Sequence, residues 1–520
     1  MKFLLLFHSV TFALYPIFYL YSANLGQARF FDVAVSAAVT LLCVVILLLL
    51  IEKFIQNLQK TALLVSTLCF AIFAYGAFDE LLVSFSDSAT LRNIIFPALW
   101  FLGFCGSAWL VARTTQNLEN AGRFLNVMAL AMLVLVFADV ARYNLSFARL
   151  PAVSSDVGSL QVTPQTGIGV LPDIYYLILD GYARNDILSE LYQYDNSEFS
   201  GFLEQKGFYI ASQACANYPQ TYLSLASSLN FTYLDEVAQK FFDLNTAEPL
   251  VEMISNNRLM ATLKALGYQT VAFASGYSGT ELKTADRYIS RTLLSREFFH
   301  TLINTTFFAA LKLPFFDLSV SEADIHRERI RNTLSAIANQ NLPSEPVFVF
   351  AHVICPHPPF VFNHDGQAAK AQNRFHIQDG SHWGSDTATY RKMYKEQLTY
   401  LNTLVKQSVD NLVADQTRPR IIIVQSDHGP GSDLNWQNPE KTNLPERFGI
   451  LQAIYFSDGN NSGLYPEISP VNTFRLVLNR LLASKMPLLE DKSYFAPWFG
   501  RYRFVEVTER LRSPLSSASR

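Results

Sequence analysis

The stretch Arg420-Ile-Ile-Ile-Val-Gln-Ser-Asp-His-Gly-Pro-Gly431 decides how this chain is read. Ile421, Ile422, Ile423 and Val424 form a short, unbroken β-branched run, the pattern of a strand buried on both faces of a parallel sheet. The run stops at Asp427-His428-Gly429, where a carboxylate and an imidazole stand side by side and Gly and Pro impose a turn. Ligands in open α/β sheets sit at the carboxyl ends of strands, and an Asp–His pair suits a hard-to-borderline cation. Taken alone, the pair is equally a capping Asp beside a surface His, so the rest of the chain must decide.

The 520 residues are 50% hydrophobic and 16% charged, with mean hydropathy +0.15. So little charge is unusual for a soluble protein. A net charge of −3 excludes a basic nucleic-acid-binding surface. The apolar runs crowd into the first 143 residues, which divides the chain into a membrane segment and a globular segment.

Five runs are long enough to cross a bilayer core of roughly 30 Å as helices. They lie at Phe3–Ser22, Phe31–Ile51, Thr61–Phe85, Ile94–Ala112 and Leu125–Tyr143. Lys2 before the first run resembles a signal-peptide start, but no small-residue cleavage site follows, so the run is expected to be retained. Lys2, Lys53, Lys60, Arg113 and Arg123 fall on one side of the spans, and Arg29 and Arg92 on the other. The richer side is expected to be cytoplasmic, which sends everything after Tyr143 to the periplasm or cell exterior. Asp79, Glu80 and Asp139 read as span-edge residues.

The Pro-, Ser-, Gly- and Thr-containing residues 149–170 read as a linker. After it, 171–512 provide enough chain for a large α/β domain, and the Ser-rich tail 513–520 reads as disordered. Strands are expected at Ile174–Leu179, Thr270–Ala274, Val347–Val353, Arg420–Gln425 and Ile450–Phe456. Helices are expected at Pro249–Leu266, Asp324–Gln340 and Tyr390–Ala414. The alternation implies a mostly parallel sheet flanked by helices. Phe298–Phe316 is apolar but interrupted by Asn304, Thr305 and Thr306, which makes it a packed helix or a face resting on the membrane.

Four stretches carry the chemistry. Ile174–Leu179 lead into Asp180-Gly181, a carboxylate at a strand end. Asn217-Tyr218-Pro219 form a turn before Thr221, at the start of a helix containing Ser224. A hydroxyl there lies among free N–H groups at the positive end of the dipole, which suits an anionic substrate or a nucleophile; the plainer reading is that Thr221 caps the helix. His352 ends another strand, and Pro-rich sequence presents His357 just after it, where an imidazole can grip a phosphoryl oxygen or protonate a leaving group. Asp427-His428 is the fourth.

These motifs in this order, strand–Asp-Gly, a hydroxyl at a helix start, H-x(4)-H-x-P and strand–D-H-G, resemble the alkaline phosphatase/sulfatase superfamily. With the preceding spans, the plan is similar to lipoteichoic acid synthases and lipid A phosphoethanolamine transferases. The resemblance implies an alkaline-phosphatase-like fold and one divalent ion, Zn or Mn, held by Asp180, Thr221, Asp427 and His428. It implies Thr221 as nucleophile and His357 as substrate-binding residue or proton donor, with His352, Ser224 and Asn217 as further substrate-binding candidates. The implied activity moves a phospho-alcohol headgroup from a membrane lipid, through Thr221, to an extracytoplasmic glycan, lipid or polymer. A phosphodiesterase, phosphatase or other sulfatase-like hydrolase is the alternative, and a non-catalytic sulfatase-like binding module the third reading.

Departures from the pattern narrow it. Cys215 is followed by Ala-Asn-Tyr-Pro with no Arg, which argues against a formylglycine sulfatase. The related membrane transferases carry Glu where Asp180 stands. None of the nine His residues follows His428, which favours one metal over two. Cys43, Cys69 and Cys105 lie in expected spans as apolar fillers. Cys215 and Cys355 flank the nucleophile and His357 loops, and are expected to form a disulfide or remain two thiols. Arg447 and Arg475 are candidates for contacting an anionic substrate, with surface salt bridging the commoner reading.

Overall fold

A computed structural model describes residues 2–24, 30–85, 88, 90–149, 169–242, 246–290, 296–311, 321–338, 344–369, 375, 377–384, 386–415, 417–483 and 485–512. Most of the expected linker and all of the expected tail fall outside them. The chain forms two compact units, one built on residues 1–149 and the other on the rest, except that 292–321 belong with the first.

The first unit is helical: α1 (Lys2–Ala23), α2 (Phe30–Ile55), α3 (Leu58–Phe73), α4 (Tyr75–Phe85), α5 (Phe96–Arg113) and α6 (Glu119–Arg149). Among the described residues, three helical stretches are long and apolar enough to cross a membrane: Phe30–Ile55, Leu91–Arg113 and Glu119–Arg142. A fourth exists if α3 and α4, bent by 41°, count together. Five spans are therefore more than these helices establish. The first expected span is a helix, yet α1 packs against α2, α3 and α6 and carries polar groups into that packing. His8 Nδ1 lies 2.6 Å from Ser66 Oγ, and Ser9 Oγ donates to Ala62 O at 2.8 Å. Polar groups in an apolar interior persist when they find such partners. At the bundle's edge, Asp79 pairs with Arg92 at 2.9 Å.

The apolar stretch expected at Phe298–Phe316 joins this unit as far as it is described, in helices Arg296–Asn304 and Phe307–Leu311. Phe298 and Leu302 pack with Ile17 and Val33. Gly76 N–H donates to Thr305 O at 3.0 Å, and the Tyr75 and Phe307 rings meet edge to face at 5.2 Å.

The second unit is built on a seven-stranded sheet with strands β1 (Asp173–Leu179), β2 (Tyr209–Ile210), β3 (Gln269–Phe273), β4 (Arg287–Ile289), β5 (Val347–Val353), β6 (Arg420–Gln425) and β7 (Gln452–Phe456). Their order is β2-β7-β6-β1-β5-β3-β4. β1 pairs in parallel with both β5 and β6, while β7 runs antiparallel to β6, giving the mostly parallel sheet expected. Every residue of β1, β5 and β6 is buried, which is why these strands read as continuous apolar runs rather than alternating ones. The pleat splits them between two layers. Ile174, Tyr176 and Ile178 pack with Phe348, Phe350, Ile421 and Ile423 on one face. Tyr175, Leu177 and Leu179 pack with Val349, Ala351, Ile422 and Val424 on the other.

The expected helix Pro249–Leu266 is two helices, Glu248–Ser255 and Arg258–Ala265. Asn257 restarts the chain by accepting from Met260 N at 2.8 Å, an N-cap that competes with continuing the first helix. The short edge strands β2 and β4 carry too few residues for a periodicity signal. Because β1, β5 and β6 are adjacent and parallel, their carboxyl ends deliver Asp180, the His357 loop and Asp427-His428 to one edge of the sheet.

Candidate active site

Asp180 follows β1 directly, and Gly181 turns the chain at φ +74°, a left-handed conformation that glycine adopts at no steric cost. That turn lets His357 N–H donate to Asp180 O at 2.9 Å. The His357 loop is also held from the helix Thr387–Ala414, where Gln397 Nε2 donates to Pro356 O and His357 O, both at 3.2 Å. Thr221 is the first residue of the helix Thr221–Asn230, and its side chain does not cap that helix. Its Oγ1 lies instead 3.2 Å from His428 Nε2.

Around that contact, the acceptors outnumber the donors. His428 Nδ1 lies 3.0 Å from Gly429 O, a geometry that places its proton on Nδ1 and leaves the Nε2 lone pair free. Nε2 lies 3.4 Å from Asp427 Oδ2 and 3.6 Å from Asp180 Oδ1. Both of those oxygens are buried with no hydrogen-bond partner. Buried carboxylate oxygens facing one another and a lone pair are costly unless a cation lies among them. Asp180, His357 and His428, and likewise Asp180, His352 and Asp427, offer ligand atoms within 4.8 Å of one another. The donor set of carboxylate, imidazole and hydroxyl therefore fits a divalent metal ion.

The electrostatics agree. Burial would raise the Asp180 carboxyl, but His357, His352 and His428 around it hold it well below the usual carboxylate range. Burial pushes the His428 imidazole down, and the Arg447 guanidinium adds to that, keeping the ring neutral as a metal ligand must be.

A cavity of about 460 Å³ opens over this cluster, lined by Asp180, Thr221, His357 and His428 and walled by Tyr222, Tyr277, Trp436 and Trp498. Asp427 lies beneath it, fully buried. Three candidates stand back from the cavity. His352 Nε2 lies 3.2 Å from Asp180 Oδ2 and its Nδ1 2.8 Å from Thr280 Oγ1, so it orients a carboxylate rather than facing the cavity. Ser224 Oγ donates to Asp427 O at 2.7 Å. Asn217 is fully buried and bonded to the backbone of Lys492 and Val471.

Of two further residues in the cavity wall, Asp379 was not singled out in the sequence, and Arg447 was read there mainly as a surface salt-bridge residue. Asp379 is buried 3.7 Å from His357 Nε2, and its carboxyl is held low, against the effect of burial, by Arg447 and His357. Arg447 is not a surface salt-bridge residue. It is 1% exposed and pairs with Asp379 at 2.5 Å. Arg475 donates to Phe231 O at 3.0 Å and to Pro487 O, holding local backbone. Neighbouring Glu446 is buried, accepts from Tyr192 and Asp433 N, and is pushed up by burial to about 7. The disulfide does not form: Cys355 is buried in the apolar layer, where its thiol is pushed well up, and Cys215 Sγ accepts from Arg184 at 3.3 Å.

A sulfatase family model matches residues 172–460, more than half of the chain and all of the strands that carry this cluster. The chain belongs to the sulfatase family. This sulfatase-family enzyme is joined to an apolar helical unit, which makes it a membrane protein. No curated protein sequence matches it. Among solved structures, it is similar to the zinc complex of the C-terminal periplasmic domain of EcEptC from Escherichia coli, at 12% identity over 64% of this chain and 92% of that one, TM-score 0.42. It is similar to the integral membrane lipooligosaccharide phosphoethanolamine transferase A from Neisseria meningitidis, at 14% identity over 92% and 95%, TM-score 0.41. It is also similar to the phosphonate monoester hydrolase of Agrobacterium radiobacter, at 14% identity over 62% and 80%, TM-score 0.39. At these scores the family model remains the basis of the assignment.

Proposed function

We propose that this chain is a metal-dependent phosphotransferase of the extracytoplasmic membrane face, moving a phospho-alcohol headgroup from a lipid onto Thr221 and then to a glycan, lipid or polymer. The observation that carries the reading is Thr221 Oγ1, 3.2 Å from His428 Nε2 at the start of a helix, beside two buried carboxylate oxygens without partners. Asp180, Asp427, His428 and Thr221 would hold one ion, Zn or Mn. When bound, that ion lowers the pKa of a coordinated hydroxyl and offsets charge at phosphorus.

The protein's own groups do the rest. Thr221 Oγ1, deprotonated beforehand, attacks phosphorus, the new O–P bond forming as the bond to the diacylglycerol oxygen breaks. The helix N-terminus behind it presents N–H groups to the anionic phosphoryl oxygens. His357 Nε2 gives the departing oxygen its proton, with Asp379 at 3.7 Å as the ring's counter-charge. An acceptor hydroxyl then attacks the phosphothreonine diester in line, opposite Thr221 and from the side the diacylglycerol left, giving its proton to His357 and freeing Thr221 deprotonated as it began. The walls of Tyr222, Tyr277, Trp436 and Trp498 limit water in the second step.

Five spans, a cytoplasmic amino terminus and a periplasmic or extracellular catalytic unit belong to this proposal, because a lipid donor presents its phosphate at that interface. Hydrolysis is the competing reading, favoured by Asp180 in place of Glu. Incubation with headgroup-labelled phospholipid separates the two. Diacylglycerol with label on an acceptor is expected, and label released only as free phospho-alcohol assigns the enzyme to hydrolysis.

A further inference from the structure

Arg447 lines the cavity, and the obvious role for an arginine beside a phosphoryl site is to grip the substrate. Its bonds point elsewhere. Nε donates to Pro219 O at 2.9 Å, two residues before the nucleophile. Nη1 donates to Gly429 O at 2.9 Å, one residue after His428, and pairs with Asp379 at 2.5 Å. Gly429 N–H returns a bond to Arg447 O at 2.7 Å. The guanidinium plane lies 5.0 Å from the Trp436 ring, whose Nε1 donates to Asp379 O at 2.8 Å.

The geometry points to Arg447 as a positioning residue that clamps the Thr221 loop, the Asp427-His428 loop and the Asp379 loop into one body. The groups it holds lie 228, 18 and 68 residues from Arg447 along the chain, at Pro219, Gly429 and Asp379. A planar guanidinium suits this because its fork directs several N–H groups at fixed angles, which a lysine cannot copy. Both backbone acceptors are carbonyls next to or near reacting groups, so their position sets the 3.2 Å separation of Thr221 Oγ1 and His428 Nε2. Asp379 is held by the same guanidinium and faces His357 Nε2 at 3.7 Å, so the clamp also fixes the proton donor's partner. Arg447 thus acts on phosphoryl transfer through Thr221 and His357 rather than by binding the donor.

This inference rests on the proposed phosphotransfer for its kinetic consequence, but not for its mechanical one. The test uses the full-length protein in detergent, with Arg447→Lys, and reads two quantities. The first is the rate of headgroup loading from labelled phospholipid as a function of lipid concentration. Misplacing a reacting group by about 1 Å costs about 100-fold, so kcat is expected to fall by about that factor while KM stays within about threefold. The second is backbone hydrogen exchange, where peptides covering 217–224 and 427–431 are expected to exchange faster together. A KM raised about tenfold or more with kcat retained makes Arg447 a substrate ligand and overturns the inference. Unchanged exchange in either loop overturns it as well. Should the wild-type protein load no headgroup, the phosphotransfer reading fails, while the exchange result still decides the clamp. If Arg447→Lys does not fold, Asp379→Asn releases one arm only. It is expected to lower kcat by about tenfold and loosen the 377–384 peptide while leaving 217–224 protected; equal exchange in all three loops of the variant and the parent refutes the clamp.

Discussion

Replacing Thr221 by Ala tests the nucleophile most sharply, because the surroundings offer no substitute. Among the described residues, the hydroxyls lining the cavity belong to Thr221, Tyr222 and Tyr277. Tyr222 OH lies 3.4 Å from Ser278 Oγ, and Ser224, one turn along the helix, spends its hydroxyl on Asp427 O at 2.7 Å. Only water remains to attack, without a covalent route. Diacylglycerol release is expected to fall by at least about 1,000-fold, roughly 4 kcal/mol of barrier at about 1.4 kcal/mol per tenfold. The fold should tolerate the change, since the Thr221 side chain does not cap its helix and the loss is one methyl and one hydroxyl, about 1 kcal/mol. Thr221→Ser keeps the oxygen and is expected to stay within about tenfold of the parent. The assay follows diacylglycerol from labelled phospholipid at saturating lipid, alongside melting temperature. Thr221→Ala activity within about tenfold of the parent, with the protein folded, would refute the reasoning.

Asp427→Asn removes one of the two unpartnered buried carboxylate oxygens, so metal retained after dialysis, read by elemental analysis, should drop to below half of the parent value; full retention would remove Asp427 from the ligand set. Glu446 has a folded pKa of about 7 against an ordinary 4.5, so the native state binds the extra proton. Stability is therefore expected to fall as pH rises from about 4.5 to about 7, by up to roughly 3 kcal/mol at 1.36 kcal/mol per unit, and Glu446→Gln should flatten that slope in melting curves. A parent and variant with parallel pH profiles would show that Glu446 does not titrate in this window. A Cβ at Gly429 would stand 2.0 Å from Glu446 O, a backbone atom that cannot step aside, so Gly429→Ala should cost about 2 kcal/mol or more and lower the melting temperature. An unshifted melting temperature there would mean that the D-H-G turn is looser than described.

The catalytic sheet was legible because its central strands are buried on both faces. Val347–Val353 and Arg420–Gln425 coincide with their expected bounds, and Ile174–Leu179 differs by one residue. Asp180, Thr221 and Asp427-His428, which the structure brings together with His357, each follow a strand or start a helix at a turn, and His357 stands in the Pro-rich loop after β5, which is what made them candidates in the sequence. Asp379 was not among them, and Arg447 was read there mainly as a surface salt-bridge residue. Asp379 sits in an irregular loop before Gly380, and Arg447 in a one-turn helix, and neither has a periodic neighbour to mark it as buried. Their roles exist only in three dimensions, where an ion pair between residues 68 apart joins backbone carbonyls of two other loops. For the cysteines the structure shows two thiols, one of the two outcomes the sequence left open. Two loops converge as expected, yet Cys355 points into the apolar layer and Cys215 toward Arg184, and loop proximity does not fix side-chain direction. The expected single helix Pro249–Leu266 is broken by the Asn257 cap, a signal the apolar periodicity on either side masks.

The central claim is that Thr221 carries the headgroup between donor and acceptor. Intact-protein and peptide mass spectrometry of the full-length protein, quenched in acid after mixing with phospholipid but no acceptor, measures this directly. The account predicts a phospho-alcohol adduct on Thr221 that disappears when acceptor is added. An unmodified Thr221 during active diacylglycerol release, or an adduct on another residue, would contradict it.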